Sequence, residues 1–135
     1  MEKVKIFFRS DAGGVEFRKI YSGDMKKAQN EVSLFYEDTD DNGVTKTEIC
    51  IVGKDFVTVK RAGQFSNYLE FKEKYAFSGE YLTPYGKIPV EAFTKKLEID
   101  DDGENLKVVA KYNSSLMGEK TENEFSIAVK YGRAK

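Results

Sequence analysis

Arg61 is the side chain whose position most needs an explanation. It continues the alternation Val57-x-Val59-x-Arg61, so one strand face carries two apolar side chains and then a guanidinium. An isolated charge in an apolar interior costs several kcal/mol, so an inward arginine must be paired with an anion or open to water. The default expectation is an ion pair with Glu37 or Asp38, and strand register decides which of the two faces inward. The functional alternative is that Arg61 binds an anionic or carbonyl-bearing ligand at the mouth of a barrel. Tyrosines on inward faces fill space while presenting a hydroxyl to a cavity, and threonines share that ambiguity. The candidate lining is therefore Arg61, Tyr36, Glu37, Thr47, Tyr81, Thr83 and Tyr85. Core packing is the ordinary role for each of these tyrosines, Tyr112 included, and Thr94 shares the ambiguity of the other threonines.

Other patterns fail on their chemistry. Asp38, Asp40, Asn42 and Gly43 match the first half of a calcium-binding EF-hand loop, but Ile49 stands where the bidentate Glu belongs and the flanks alternate like strands. The run Asp100-Asp101-Asp102-Gly103 reads as a charged turn. Gly79 to Gly86-Lys87 has six residues between its glycines where a phosphate loop has four, and Ile88 replaces the hydroxyl that holds magnesium. Cys50 lies between Ile49 and Ile51 with nothing beside it to lower its thiol pKa. The chain has no His, which removes the usual general base, the imidazole metal ligand and the nucleophile–His pair. No catalytic residue, metal site or cofactor is assigned. A carboxylate enzyme using Glu37 or Asp38 beside Arg61 is the minor third reading.

The elements that must position these residues read as strands. Val, Ile, Thr, Phe and Tyr total 43 against 17 for Ala, Leu and Met, which favours pleated sheet over helix. Period-two segments recur along the chain: Val4/Ile6/Phe8, Val15/Phe17/Tyr21, Val32/Leu34/Tyr36, Thr45/Thr47/Ile49/Ile51, Val57/Val59/Arg61, Leu106/Val108/Ala110/Tyr112 and Phe125/Ile127/Val129/Tyr131. Further strands fall around residues 68–71, 75–81 and 87–99. Turn signals at Asp41-Asn42-Gly43 and Asp101-Asp102-Gly103 punctuate them. Asp24 to Glu31 fits one exposed turn of helix, and Gly63 to Phe71 also fits a helical face. The spacing predicts an all-β protein, an antiparallel up-and-down meander of about eight to ten strands that closes into a barrel. At 135 residues a chain buries roughly two thirds of its surface in one core, so a single domain over 1–135 is expected.

Net charge is −1, with the signs spread evenly along the chain, so the basic surplus that nucleic-acid binding draws on is missing. Little repulsion between copies makes a homodimer conceivable. Apolar runs stop at four residues, the longest being Ile49 to Val52, far short of the ~18 needed to span a bilayer, so no membrane association is expected. One cysteine cannot form an intrachain disulfide. Met1-Glu2-Lys3-Val4-Lys5 leads into a strand rather than a signal sequence, so a cytoplasmic location is expected.

Several of these residues stand in an order that resembles the bacterial YwiB-like family: Tyr36-Glu37-Asp38, Thr45 and Thr47, Val57-x-Val59-x-Arg61-x-Gly63, Phe71, Tyr81-x-Thr83-Pro84-Tyr85-Gly86, Thr94, Tyr112 and Phe125-x-Ile127-x-Val129. The resemblance runs from about Tyr21 to Val129. It implies a calycin-like (lipocalin-like) β-barrel of unknown function, and no catalytic residue carries over from it. The leading functional expectation is a non-enzymatic barrel that binds a small ligand. The runner-up is a barrel filled by its own side chains, acting as an interaction or structural module through its surface.

Overall fold

The structure is a computed structural model and describes residues 2–41 and 43–130. Asn42, which belongs to the calcium-loop pattern and the turn, lies outside the described residues, as does Tyr131. The ten strands follow in chain order: β1 Glu2–Ala12, β2 Val15–Ala28, β3 Glu31–Asp40, β4 Gly43–Val52, β5 Phe56–Ala62, β6 Asn67–Phe71, β7 Tyr75–Thr83, β8 Gly86–Asp101, β9 Asn105–Leu116 and β10 Glu119–Lys130. All pair antiparallel in one sheet of order β6-β5-β4-β3-β2-β1-β10-β9-β8-β7. The two edges, β6 and β7, curl to face each other, making a nearly closed barrel.

That closure rests on little backbone. Ser66 and Leu82 exchange both amide hydrogen bonds, at 2.9 and 2.7 Å. The rest of the joint is side chains: Phe65 stacks on Tyr81, Tyr68 meets Phe77 edge-on, and the Tyr68 and Tyr75 hydroxyls each donate 2.8 Å bonds to Glu70.

Hairpin chemistry sets the register. Ala12 pairs with Val15 across Gly13 and Gly14, whose φ angles of 61° and 92° fit the two left-handed positions of a tight hairpin. The segment predicted as a turn of helix at Asp24 to Glu31 is instead the end of β2, a two-residue turn at 29–30 and the first residue of β3. Its polar side chains point outward, while Gly23 and Met25 point inward and Met25 is 2% exposed, so a period of two survives beneath the polarity. Gly63 to Phe71 likewise resolves into a bend that follows β5, the Ser66 bridge and β6.

The apolar core fills the half of the barrel away from the odd-to-even hairpins. Leu34, Ile49, Val59 and Leu69 stand side by side across β3 to β6, with Ile6, Val57, Val108 and Ile127 fully buried around them. In β8 the ladder slips between Thr94 and Lys96. This bulge keeps Thr94 and Leu97 both inward despite their odd spacing, and the Leu97 amide donates to Glu73 at 3.2 Å. Thr94 is wholly buried and its Oγ1 has no hydrogen-bond partner. Because an unsatisfied buried hydroxyl costs about 1–3 kcal/mol, Thr94→Val is expected to stabilise the protein by about 1 kcal/mol. Thermal unfolding should show this as a midpoint raised by about 3–5 °C. An unchanged or lower midpoint would show that the hydroxyl is satisfied.

Candidate ligand-binding site

At the end of the barrel bearing the β1–β2, β3–β4 and β9–β10 hairpins, the interior is hollow. A cavity of about 380 Å³ opens there, with Arg61, Tyr36 and Thr47 on its wall. Ile49, Val59 and Phe71 form its floor and Phe8, Phe17 and Phe125 its far side. Cross-strand register explains the grouping, since Arg61 lies opposite Thr47 on β4, and Thr47 lies opposite Tyr36 on β3. Two surface hollows are larger, at about 690 and 530 Å³. The first lies over the distal parts of β7 to β10. The second runs along the outside of β2 to β5.

The ion pair expected for Arg61 is not formed. Among the described residues no carboxylate lies within ion-pair distance of its guanidinium. Glu37 is exposed and points outward, opposite Lys46, which corrects its place among the lining residues. Asp38 is the inward carboxylate, and it is occupied by others. Lys19 Nζ donates to it at 2.7 Å and the Tyr21 hydroxyl at 3.1 Å. These bonds, Lys19's above all, hold the Asp38 carboxyl below its ordinary pKa, which makes it a weak base at neutral pH. Burial, reinforced by Tyr36 and Asp38, pushes the Tyr21 phenol upward, so that it stays protonated and able to donate. Burial also raises Tyr112, against the opposing charge of Arg61. Arg61 itself is half-buried, with its charge turned toward the cavity.

Gly63 fixes where Arg61 sits. A Cβ there would lie 2.9 Å from both Thr45 Oγ1 and the Val44 carbonyl oxygen, so only glycine lets the end of β5 pass this close to β4. Ser66 clamps the same residue, with its Oγ accepting from the Gly63 amide and donating to the Gly63 carbonyl. The spacing Arg61-x-Gly63 is thus a positioning device for the guanidinium.

The remaining candidates do not join the site. Tyr81 stacks on Phe65 at the β6–β7 closure and does not line the cavity. Thr83, Pro84, Tyr85 and Gly86 form the β7–β8 turn. Thr83 Oγ1 donates to the Gly86 carbonyl and accepts from the Tyr85 amide, while Tyr85 is 94% exposed. The side chains that sequence reasoning missed are Phe8, Phe17, Tyr21 and Asn123. Alternation does mark Phe8, Phe17 and Tyr21 as inward, but it says nothing of which inward residues border space. Cys50 is outward and half-buried, and burial raises its thiol pKa, so it is not an activated nucleophile. Among the described residues no three Asp, Glu or Cys side chains gather as a metal-binding group. Nor is any helix there long and apolar enough to cross a membrane.

The family model described as Domain of unknown function (DUF1934) matches residues 3–128. The chain belongs to that family. Its fold is similar to that in the crystal structure of the ywiB protein from Bacillus subtilis. The TM-score is 0.82 at 22% sequence identity, covering 98% of this chain and 93% of that one. At that identity the likeness speaks for the fold. No curated protein matches the chain.

Proposed function

We propose that this chain is a small-ligand-binding barrel that takes an anionic or carbonyl-bearing molecule into the cavity at its hairpin end, with Arg61 as the anchor and Tyr36 and Thr47 beside it. One observation carries the reading: a half-buried guanidinium faces a 380 Å³ cavity with no carboxylate in ion-pair range among the described residues. Charged groups are buried where something offsets their lost hydration, and cavities of about 300–1,000 Å³ suit small ligands. A cytoplasmic location, where a lone free thiol persists, belongs to the same proposal.

The test is Arg61→Ala. Removing one member of a buried ion pair costs about 3–5 kcal/mol, whereas removing an unpaired cation should change stability by less than about 1 kcal/mol or raise it. A thermal-unfolding screen against anionic and apolar metabolites, with native mass spectrometry on the same sample, reads binding. A ligand at a hundred times its Kd stabilises by about 2.7 kcal/mol. The wild type is expected to show that shift and Arg61→Ala to lose it; a large loss of stability in the variant would return Arg61 to a structural role.

A second reading is favoured by the outer face. Phe7 and Ile20 pair across β1 and β2 and are 44% and 57% exposed, an apolar row suited to a homodimer. A dimer mass with no ligand shift would support that reading in place of the first.

A further inference from the structure

The two sides of the cavity differ in chemistry, and the difference limits what can bind. Phe8 packs against Phe17 and Phe125, with ring centroids 6.3 and 6.4 Å apart, giving an aromatic wall on β1, β2 and β10 that Asp11, Asn123 and Glu124 border. The facing side from β3 to β5 carries Arg61 among hydroxyls, together with the carboxylates of Asp38 and Asp40. Lys19 is the nearby second cation, and it is held in an ion pair with Asp38 at 2.7 Å, so that it is not on offer to a ligand while Asp38 keeps it. The cavity therefore offers one cation to a ligand, while four carboxylate residues border it, Asp38 and Asp40 on this side and Asp11 and Glu124 on the other.

Asn67 adds a second constraint. It stands opposite Arg61 in the β5–β6 register and shares the inward face of Leu69, and its Oδ1 is sealed with no hydrogen-bond partner. A guanidinium presents its N–H groups along more than one edge. One edge can satisfy Asn67 while another grips a single carboxylate. The described residues form no helix, so a helix N-terminus, the usual cradle of a phosphate, is not part of this site.

We infer that the ligand is an organic monoanion, a carboxylate on a flat apolar body, and that Asp38 and Asp40 bar phosphate esters and dicarboxylates. This rests on the binding reading above. The carboxylate lies on Arg61 and the apolar body against Phe8, Phe17 and Phe125. A second negative charge on the ligand would meet the Asp38 and Asp40 carboxylates, and like charges brought together weaken binding steeply.

The experiment titrates the full chain by calorimetry with 3-phenylpropionate, phenyl phosphate, phenylsuccinate and 3-phenyl-1-propanol, on the wild type and on Arg61→Ala, Asp38→Asn and Asp40→Asn. The wild type is expected to bind phenylpropionate at least about tenfold more tightly than the other three. Asp38→Asn frees Lys19, so phenyl phosphate should gain about tenfold or more there; Asp40→Asn provides the same test by removing a repelling charge, should the first variant fail to fold. Phenyl phosphate or phenylsuccinate binding the wild type as tightly as phenylpropionate, with Arg61→Ala abolishing both, would overturn the monoanion rule and leave the Arg61 site standing. Equal binding of the alcohol, binding that ignores Arg61→Ala, or no binding of any probe would overturn the Arg61-anchored reading itself.

Discussion

Phe71→Ala is expected to lower stability by about 3–5 kcal/mol, the usual cost of emptying a fully buried aromatic site. Phe71 is 1% exposed and meets the Tyr112 and Phe125 rings edge-on, with centroids at 4.9 and 5.1 Å. Its surroundings place it toward the upper end of that range. It sits on the five-residue strand β6, which is laddered only to β5 and reaches β7 through the single Ser66–Leu82 bridge. The ring therefore ties the weakest edge of the sheet to β9 and β10 across the interior. Truncation also deepens the cavity floor, and neighbouring rings held by their own contacts relax only partly into such a space. For a chain this long the loss corresponds to a midpoint lowered by about 10–20 °C, read by thermal or urea unfolding. Phe71→Leu should cost far less, because most of the volume is kept. A drop below about 1 kcal/mol for the alanine variant would mean that β6 is held by its side chains on β7 rather than through the core.

Much of this architecture is legible in the residues, because every inward row repeats at period two. Val4, Ile6 and Phe8 point inward together, as do Leu106, Val108 and Ala110, and a sheet with one apolar face has few ways to bury it except by closing. Beyond that, the limits are physical. Glu37 and Asp38 are adjacent, so opposite faces are one residue apart; only the β3–β4 register, with Glu37 opposite Lys46, sends Asp38 inward. Asp38 is then claimed by Lys19 and Tyr21, from the hairpin before it rather than from the strand after. Thr83 and Tyr85 look like lining residues by type, yet Pro84 and Gly86 beside them form a turn, where alternation no longer reports facing. The polarity of Lys26 and Lys27 hid the last part of β2, because a strand with one solvated face shows its period only through small signals such as Gly23 and Met25. Arg61 was visible as an inward charge, but its partner was a question of distance, which spacing along one strand does not contain.

Gly23→Ala is the second large effect expected, and it concerns the joint between β2 and β3. Their backbone ladder runs only from Ala28–Glu31 to Asp24–Phe35; beyond it the strands are held by side chains. The Tyr21 and Tyr36 rings stack with centroids 4.0 Å apart, and Asp38 takes its bonds from Lys19 and Tyr21. Gly23 is the buried pivot where the ladder stops. A Cβ there would lie 2.4 Å from the Phe35 carbonyl oxygen, 2.9 Å from Ile6 Cδ1 and 3.2 Å from Tyr36 Cβ. The carbonyl is backbone in a paired residue and cannot turn aside, so the strands must part. Alanine gains about 0.4–1 kcal/mol by restricting the unfolded chain, whereas such overpacking costs about 1–3 kcal/mol or more, so the clash wins. A midpoint lowered by about 5–10 °C is expected. A spectroscopic sign should accompany it: burial is what raises the Tyr21 phenol, so parting the strands should bring a tyrosine titration back toward the ordinary range in an ultraviolet pH scan. Unchanged stability together with an unchanged titration would show that β2 and β3 have slack at Gly23, and that the cavity wall at Tyr21 and Tyr36 does not depend on their close crossing.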